Sequence, residues 1–277
     1  MLKTRVLTAL VLLILFLAAL FWLPSRAWAV FSGVLVFPAA WEWGKLIKLR
    51  RMACGLYVVL VAAVCASLYV WAQSNAAIGQ NTAQIAVYLV ASLFWVVVVP
   101  LWLWRSRLPQ SRMLAALTGL VVLVPTWLAL VELRNLGPAL LLLLMSVAWI
   151  SDTAAYFAGR RFGRHKLAPS ISPGKTWEGV AGAVLAVSGY AALWSYAWPQ
   201  YLLPAFKSVP FGALGMLLFL WLLTALGIYG DLFESALKRR AGVKDSGVLL
   251  PGHGGVLDRI DALTAVLPLA ALGYLLL

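Results

Sequence analysis

The fold class is decided by two neighbouring apolar stretches, MLAALTGLVVLVPTWLALV (residues 113–131) and PALLLLLMSVAWISDTAAYFA (residues 138–158). Each has about the 20 residues that a helix needs to cross the hydrocarbon core of a bilayer. Similar stretches recur along the whole chain, near 6–23, 27–44, 53–72, 83–104, 178–198, 211–233 and 256–277. The sequence therefore predicts an all-α integral membrane protein, a polytopic bundle of about nine transmembrane helices.

The composition supports this class. Of the 277 residues, 64% are hydrophobic and only 11% are charged, whereas soluble domains carry about 25% charged residues. The chain has 22 Lys and Arg against 9 Asp and Glu. In a soluble protein this excess would point to nucleic acid. Here the basic residues are divided among short loops between apolar spans, which favours contact with the lipid bilayer and no nucleic acid partner.

The basic residues also predict an orientation. If the N-terminus is cytoplasmic, the loops on that side hold 18 Lys and Arg and the opposite side holds three. Short cytoplasmic loops are enriched in these residues, so we expect the N-terminus inside and the C-terminus outside. The first apolar segment also resembles a secretory signal with a cleavage site at Ala27–Ala29, but its length favours a retained helix. Either alternative leaves the other loops on the same sides.

Acidic residues concentrate in the second half of the chain. Carboxylates cost on the order of 2.5–3.5 kcal/mol at mid-bilayer, so their positions are informative. Glu42 and Glu132 lie in the first half, and the other seven lie in or beside the last four spans and the loops 159–177 and 238–255: Asp152, Glu178, Asp231, Glu234, Asp245, Asp258 and Asp261. We expect a single membrane domain, 1–277, in which spans of 1–134 are structural or dimer-forming and 138–277 is catalytic.

The loop 159–177 ends in Ser172-Pro173-Gly174-Lys175-Thr176-Trp177-Glu178-Gly179. Ser followed by Pro predicts a helix start with Ser172 as the cap. Free N–H groups at such a start favour anions, and Lys175 adds a positive charge. A P-loop is rejected because Pro169 stands where that motif needs glycine. The alternative is a basic loop followed by an ordinary capped helix.

The segment 231–261 carries the densest charge pattern. On one helix, Asp231, Glu234, Ser235 and Lys238 share a face. Asp258 and Asp261 share a second face at the start of the last span, so two helices would present carboxylates to one Mg²⁺, which takes oxygen ligands together with substrate phosphates. Simpler alternatives remain: an intrahelical Glu234–Lys238 ion pair, His253 as a turn residue, and Asp258 as a helix-start carboxylate.

This segment also resembles the signature of the phosphatidate cytidylyltransferase (CDP-diacylglycerol synthase) family. The match is carried by thirteen positions at the family's spacing: Ser235, Lys238, Arg239, Lys244, Asp245, Gly247, Pro251, His253, Gly254, Gly255, Asp258, Arg259 and Asp261. Ser172–Gly179 is similar to the family's second motif, and Asp152–Gly163 to the element upstream of it. The resemblance implies a polytopic homodimer that uses a divalent metal, with CTP and phosphatidic acid as substrates.

The resemblance and the charge pattern together give the expected site. We expect Asp231, Asp258 and Asp261 to bind Mg²⁺, with a second, monovalent or divalent, cation as a further option, and Asp231, Asp258, Lys238 and Lys175 to be catalytic. The expected substrate-binding residues are Ser172, Lys175, Thr176, Glu178, Ser235, Lys238, Arg239, Lys244, Asp245, His253, Arg259 and Asp152. We expect a bacterial inner (plasma) membrane location with the site on the cytoplasmic face. The alternatives are a CTP-dependent polyprenol or phytol kinase and a cation-coupled transporter.

Overall fold

The protein is described by a computed structural model that covers residues 2–75, 82–201, 212–249 and 254–276. The helices are α1 (Leu2–Trp22), α2 (Ser25–Leu46), α3 (Arg51–Asn75), α4 (Thr82–Leu93), α5 (Val99–Trp104), α6 (Arg112–Leu136), α7 (Pro138–Phe162), α8 (Trp177–Ala197), α9 (Gly212–Ala241) and α10 (Leu257–Leu276). A π-helical turn, Phe94–Val98, joins α4 to α5, and a 3₁₀ turn, Pro199–Tyr201, follows α8.

Seven helices in the described part of the chain are long and apolar enough to cross a membrane. They are α3, the continuous α4–α5 helix, and α6 to α10. The predicted all-α membrane bundle is therefore confirmed. The first two predicted spans are also helical, but α1 contains only a shorter apolar segment, Leu10–Trp22, and α2 is not among the seven. Pro38 and Glu42 interrupt the apolar run of α2.

Indole and phenol groups tie the first helices to α6. The Nε1 of Trp43 donates to Ala115 O at 3.0 Å, and the Tyr57 hydroxyl donates to Ala116 O at 2.9 Å. Position 119 accommodates only glycine, because a Cβ there would overlap the indole of Trp43 and the hydroxyl of Tyr57. Buried polar groups in a membrane protein need such internal partners, so these bonds fix α2 and α3 on the N-terminal end of α6.

An aromatic cluster then holds the N-terminal helices against α9. The ring of Phe233 is surrounded by Trp43, Phe94, Trp95 and Trp102, with centroid distances of 5.7–6.3 Å. Phe94 and Trp95 are consecutive, and both reach Phe233 because they open the π-helical turn. The pairs with Phe94 and Trp95 are edge-to-face, an arrangement that adds about 0.5–1.5 kcal/mol per pair beyond burial. The α2 and α4–α5 helices therefore fix the part of α9 that carries Glu234 and Lys238.

A short β-hairpin fills the connection between α7 and α8. Strand β1 (Lys166–Ala168) pairs antiparallel with β2 (Ser172–Thr176), with Ala168 opposite Ser172 and Lys166 opposite Thr176. The predicted helix start at Ser172 is wrong. Helix α8 begins at Trp177, and its cap is Thr176, whose hydroxyl oxygen accepts from Gly179 N at 3.1 Å. Ser172 instead pairs within the hairpin, which leaves the capping role to the threonine directly before the helix.

Helices α9 and α10 approach each other closely at one point. A Cβ at Gly230 would lie 2.6 Å from Asp261 O, inside any normal contact distance. Small residues permit such close backbone packing in membrane bundles. Because Asp231 follows Gly230, this crossing brings Asp231 and Asp261 to the same place.

Candidate functional site

One group of charges lies where α7, the hairpin, α9 and α10 meet. Lys175 Nζ, from β2, lies 2.7 Å from Asp231 Oδ2 on α9. The charges of Asp152 and Asp261 interact with that of Asp231 and with Lys175. Ser235, one turn further along α9, donates to Asp231 Oδ1 at 3.2 Å. Three carboxylates therefore share a single ammonium group, which leaves this group with excess negative charge.

A second group adjoins the first one on the next turn of α9. Lys238 Nζ lies 2.5 Å from Glu234 Oε2 and 2.7 Å from Asp258 Oδ1. The three side chains are 12%, 4% and 7% exposed, respectively. The predicted intrahelical Glu234–Lys238 pair is thus confirmed. The charge of Glu234 also interacts with Asp261, so the two groups form one continuous charged region, which we call the acidic cleft.

Asp258 is held by main-chain and hydroxyl donors as well as by Lys238. Its Oδ2 accepts from Gly255 N at 2.8 Å, from Ser246 N at 2.9 Å and from the Ser246 hydroxyl at 2.9 Å. Asp258 lies in the first turn of α10, which confirms the helix-start alternative. Gly254 has φ +83°, and a Cβ there would lie 2.9 Å from Asp258 Oδ2, so the segment before α10 wraps tightly around this carboxylate.

Three basic residues close in sequence to the acidic cleft are exposed. Arg239 follows Lys238 in α9, Lys244 lies in the connection after α9, and Arg259 follows Asp258 in α10. Asp245 is exposed as well. The Arg239 guanidinium donates weakly to Val243 O at 3.5 Å. His253 lies outside the described residues, so the two hypotheses about it stay predictions. Exposed cations beside a recessed acidic group are an arrangement that suits a polyphosphate carrying its own metal ion.

Most of the predicted site residues at the hairpin and the start of α8 contact this same part of the chain. Glu178 accepts from His165 Nδ1 at 2.7 Å and from His165 N at 3.2 Å. Thr176 is buried and caps α8, and Ser172 is in the strand. Of the predicted hairpin residues, Lys175 reaches the acidic cleft, whereas Thr176 and Glu178 fix the backbone that carries it. Ligand contact by Ser172, Thr176 and Glu178 stays a prediction.

Glu42 is a site residue that the sequence did not reveal. The sequence places it in the first half of the chain, among spans that are expected to be structural or dimer-forming. In the structure its carboxylate accepts from Ser246 Oγ at 3.0 Å, Val256 N at 3.1 Å and Leu257 N at 2.8 Å. The cost of a carboxylate in an apolar helix indicates that Glu42 needs donors, but no sequence pattern identifies donors more than 200 residues away.

The predicted Mg²⁺ can be compared with the donors present. Among the residues that the structure describes, no three Asp, Glu, His or Cys side chains converge as a ready-made metal cage. Mg²⁺ is usually bound by one or two carboxylates plus waters and substrate phosphates. Asp231 and Asp261, with Asp152 nearby and Lys175 offsetting part of their charge, are oxygen donors of the kind that such an ion uses.

Comparison with known proteins gives the family. The model of the cytidylyltransferase family matches residues 3–277. A phosphatidate cytidylyltransferase from Pseudomonas aeruginosa is 39% identical over 98% of this chain and 96% of its own length. One from Haemophilus influenzae is 33% identical over 99% of both chains, and one from Thermotoga maritima is 41% identical over 52% of both. The match includes the N-terminal helices, for which the sequence resemblance rested on hydropathy and length alone. This chain is a multi-pass membrane protein and a nucleotidyltransferase, and it belongs to the cytidylyltransferase family.

Proposed function

We propose that this protein is a phosphatidate cytidylyltransferase, which transfers CMP from CTP to phosphatidic acid and releases CDP-diacylglycerol and pyrophosphate. The observation that carries the proposal is similarity along nearly the whole chain to relatives with that activity in their names. The acidic cleft supplies the second support, because it combines carboxylates for a cation with lysines for phosphates.

The reaction depends on neutralising negative charge more than on proton transfer. An oxygen of the phosphatidate phosphomonoester attacks the α-phosphorus of CTP, and the bond from that phosphorus to the bridging oxygen of the β-phosphate breaks. A phosphomonoester has its second pKa near 6, so the attacking oxygen is largely ionised at cytoplasmic pH without a general base. The barrier comes from repulsion between two anions and from charge that grows on the leaving pyrophosphate.

Four basic residues relieve this repulsion in the proposal. Lys175 and Lys238 lie in the acidic cleft and bind phosphate oxygens there, and Arg239 and Lys244 bind them from exposed positions that follow Lys238 in sequence. Lys175 and Lys238 already lie against carboxylates, so each is oriented before substrate enters. Such preorganised charge lowers a barrier more than mobile charge does, because no reorganisation is needed during the reaction.

Asp231 and Asp261 are the proposed ligands of Mg²⁺, and Asp152 orients them from α7. When bound, the ion would neutralise the triphosphate and stabilise the leaving pyrophosphate. Asp258, predicted as a third ligand, has both oxygens engaged by Lys238 and by loop donors. We therefore assign Asp258 to holding Lys238 and the loop before α10.

The membrane arrangement follows from the charge bias. We propose a bacterial inner-membrane location, with the N-terminus and the acidic cleft on the cytoplasmic side, where CTP is available. The acyl chains of phosphatidate would stay in the bilayer while its headgroup enters the cleft. Helices from 138–277 carry the proposed chemistry, helices from 1–134 support it, and a homodimer is the proposed assembly.

Position-specific labelling of CTP tests the reaction. Purified protein in detergent micelles is incubated with phosphatidate, Mg²⁺ and CTP labelled either at the α- or at the γ-phosphorus. We expect label in the lipid only from α-labelled CTP, together with release of pyrophosphate. Lipid label only from γ-labelled CTP would instead identify a lipid kinase. If neither labelled CTP gives labelled lipid, the proposal is refuted, and a cation-coupled transporter becomes the alternative to test. Asp231→Asn, expected to be inactive, serves as the control for contaminating enzymes.

A further inference from the structure

Glu42 joins the N-terminal half of the chain to the segment that carries Asp258. It lies in α2, and its residue is only 3% exposed. Two of its three donors, Val256 N and Leu257 N, are main-chain groups at the start of α10. A carboxylate is stabilised at a helix N-terminus because the N–H groups there have no partner within the helix. Glu42 thus caps the N-terminus of α10 from α2, a helix that is far away in sequence.

Two glycines leave the space that this carboxylate occupies. A Cβ at Gly247 would overlap Glu42 Oε1, and a Cβ at Gly255 would overlap both Glu42 Oε2 and Ser246 Oγ. Neither glycine has a positive φ, so backbone conformation does not explain them. The close approach of Glu42 does explain them, because any side chain at either position would displace its carboxylate.

Ser246 connects Glu42 to Asp258. The Ser246 hydroxyl lies 3.0 Å from Glu42 Oε2 and 2.9 Å from Asp258 Oδ2. Its single hydrogen can be donated to either carboxylate, while Ser246 N donates to Asp258 as well. Asp258 in turn holds Lys238 at 2.7 Å. A shift of Glu42 would therefore be passed to Lys238 through two side chains that are in direct contact.

We propose that Glu42 is a positioning residue for the reaction, which sets the place of Lys238 through Ser246 and Asp258. The inference rests on the proposed cytidylyl transfer, in which Lys238 binds a phosphate. The N-terminal helices, which the sequence predicts to be structural or dimer-forming, would then help to position a group that takes part in the reaction. Glu42 itself touches neither substrate.

A double-mutant cycle between Glu42→Gln and Ser246→Ala tests the route. The amide of Glu42→Gln keeps one acceptor oxygen but turns its NH₂ toward main-chain donors. We expect each single variant to lower kcat per folded molecule about tenfold, because small misplacements of a catalytic group cost this much or more. KM for CTP should change by less than about threefold, and the double variant should be within about threefold of the worse single variant, because both changes break the same connection.

Glu132→Gln is the matched control. It makes the same chemical change at another acidic residue of the N-terminal half, which contacts the Tyr88 hydroxyl rather than the loop before α10. Its kcat should equal that of the wild-type protein, and Ser246→Ala should lower kcat by the same factor with or without it. Folding is followed by gel filtration and by melting in the same detergent.

The outcomes separate this inference from the proposed function. A wild-type protein that makes no CDP-lipid refutes the proposed function, and the inference falls with it. An active wild-type protein with Glu42→Gln within about twofold of its kcat, or with effects that multiply in the double variant, overturns the positioning role alone. If Glu42→Gln gives no folded protein, Ser246→Ala decides: a tenfold loss of kcat supports the proposal, and unchanged kcat refutes it.

Discussion

Replacing Lys238 with Met measures how strongly the acidic cleft depends on one ammonium group. Methionine keeps much of the length and packing of lysine but removes its charge. The trio of Glu234, Lys238 and Asp258 holds two carboxylates and one ammonium, so the change takes its formal charge from −1 to −2. Lys238 is the ion-pair partner of Glu234, and in the described part of the protein neither Glu234 oxygen has a further hydrogen-bond partner, so the substitution leaves this carboxylate uncompensated.

The expected loss of stability is large. Removing one partner from a buried ion pair costs about 3–5 kcal/mol, because the remaining charge stays buried without compensation. An independent estimate agrees, since Lys238 makes two charge-assisted contacts and each is worth about 1.5–3 kcal/mol. Asp258 retains its main-chain donors from Ser246 and Gly255, which favours the lower part of this range.

A second substitution tests the charge explanation itself. Glu234→Gln added to Lys238→Met returns the formal charge of the trio to −1. We expect the double variant to recover at least half of the lost stability, yet to stay inactive because the proposed phosphate contact of Lys238 is still missing. Recovery of stability without recovery of activity would separate the structural contribution of Lys238 from its catalytic one.

The assay is thermal melting in one detergent, followed by tryptophan fluorescence at a fixed scan rate. A fixed rate is needed because membrane proteins often unfold irreversibly, so the midpoint depends on heating speed. Lys244→Met, at an exposed position on the following loop, is the matched control and should shift stability by no more than about 0.5 kcal/mol. The reasoning would be refuted if Lys238→Met had the same melting temperature as the wild-type protein. It would also be refuted if the double variant melted at a lower temperature than Lys238→Met alone.

Three further substitutions test other parts of the site. Lys175→Met removes the cation 2.7 Å from Asp231 and should lower kcat/KM for CTP at least about a hundredfold in the labelled-lipid assay, whereas retention of most activity would remove Lys175 from the phosphate site. Thr176→Val removes the cap of α8 and should cost about 1 kcal/mol in melting experiments; an unchanged melting curve would contradict the capping role. Gly230→Ala places a Cβ 2.6 Å from Asp261 O, so α9 and α10 must separate, and both melting temperature and kcat should fall together.

Much of the helical architecture could be predicted from apolar length alone. The sequence predicted spans at 138–158 and 211–233, and the structure has helices Pro138–Phe162 and Gly212–Ala241 at these places. The helices extend past the apolar runs because hydropathy reports how much of a helix lies in lipid, whereas the helix itself continues wherever its backbone bonds are satisfied. The shared face of Asp231, Ser235 and Lys238 was also correct, because helical periodicity alone determines it.

Contacts between helices could not be predicted in the same way. Periodicity fixes which residues share a face, but it does not say which other helix that face meets. The sequence predicted Asp258 as a metal ligand with Asp231 and Asp261, and that role stays a prediction. It did not indicate the contacts that Asp258 makes with Lys238, Ser246 N and Gly255 N. The start of α8 was misplaced at Ser172 because two capping residues stand four positions apart, and the pairing of the hairpin selects the second one.

The 215-residue separation between Glu42 and Leu257 N has a consequence for biogenesis. During synthesis the early helices are inserted long before the last one leaves the ribosome, since chains are made from the N-terminus at about 5–20 residues per second. For that interval Glu42 has none of the donors described here. The carboxylate of Glu42 therefore gains these partners only when the last helix is inserted. Under the proposed function, chains that end before α10 would be unable to act on nucleotide.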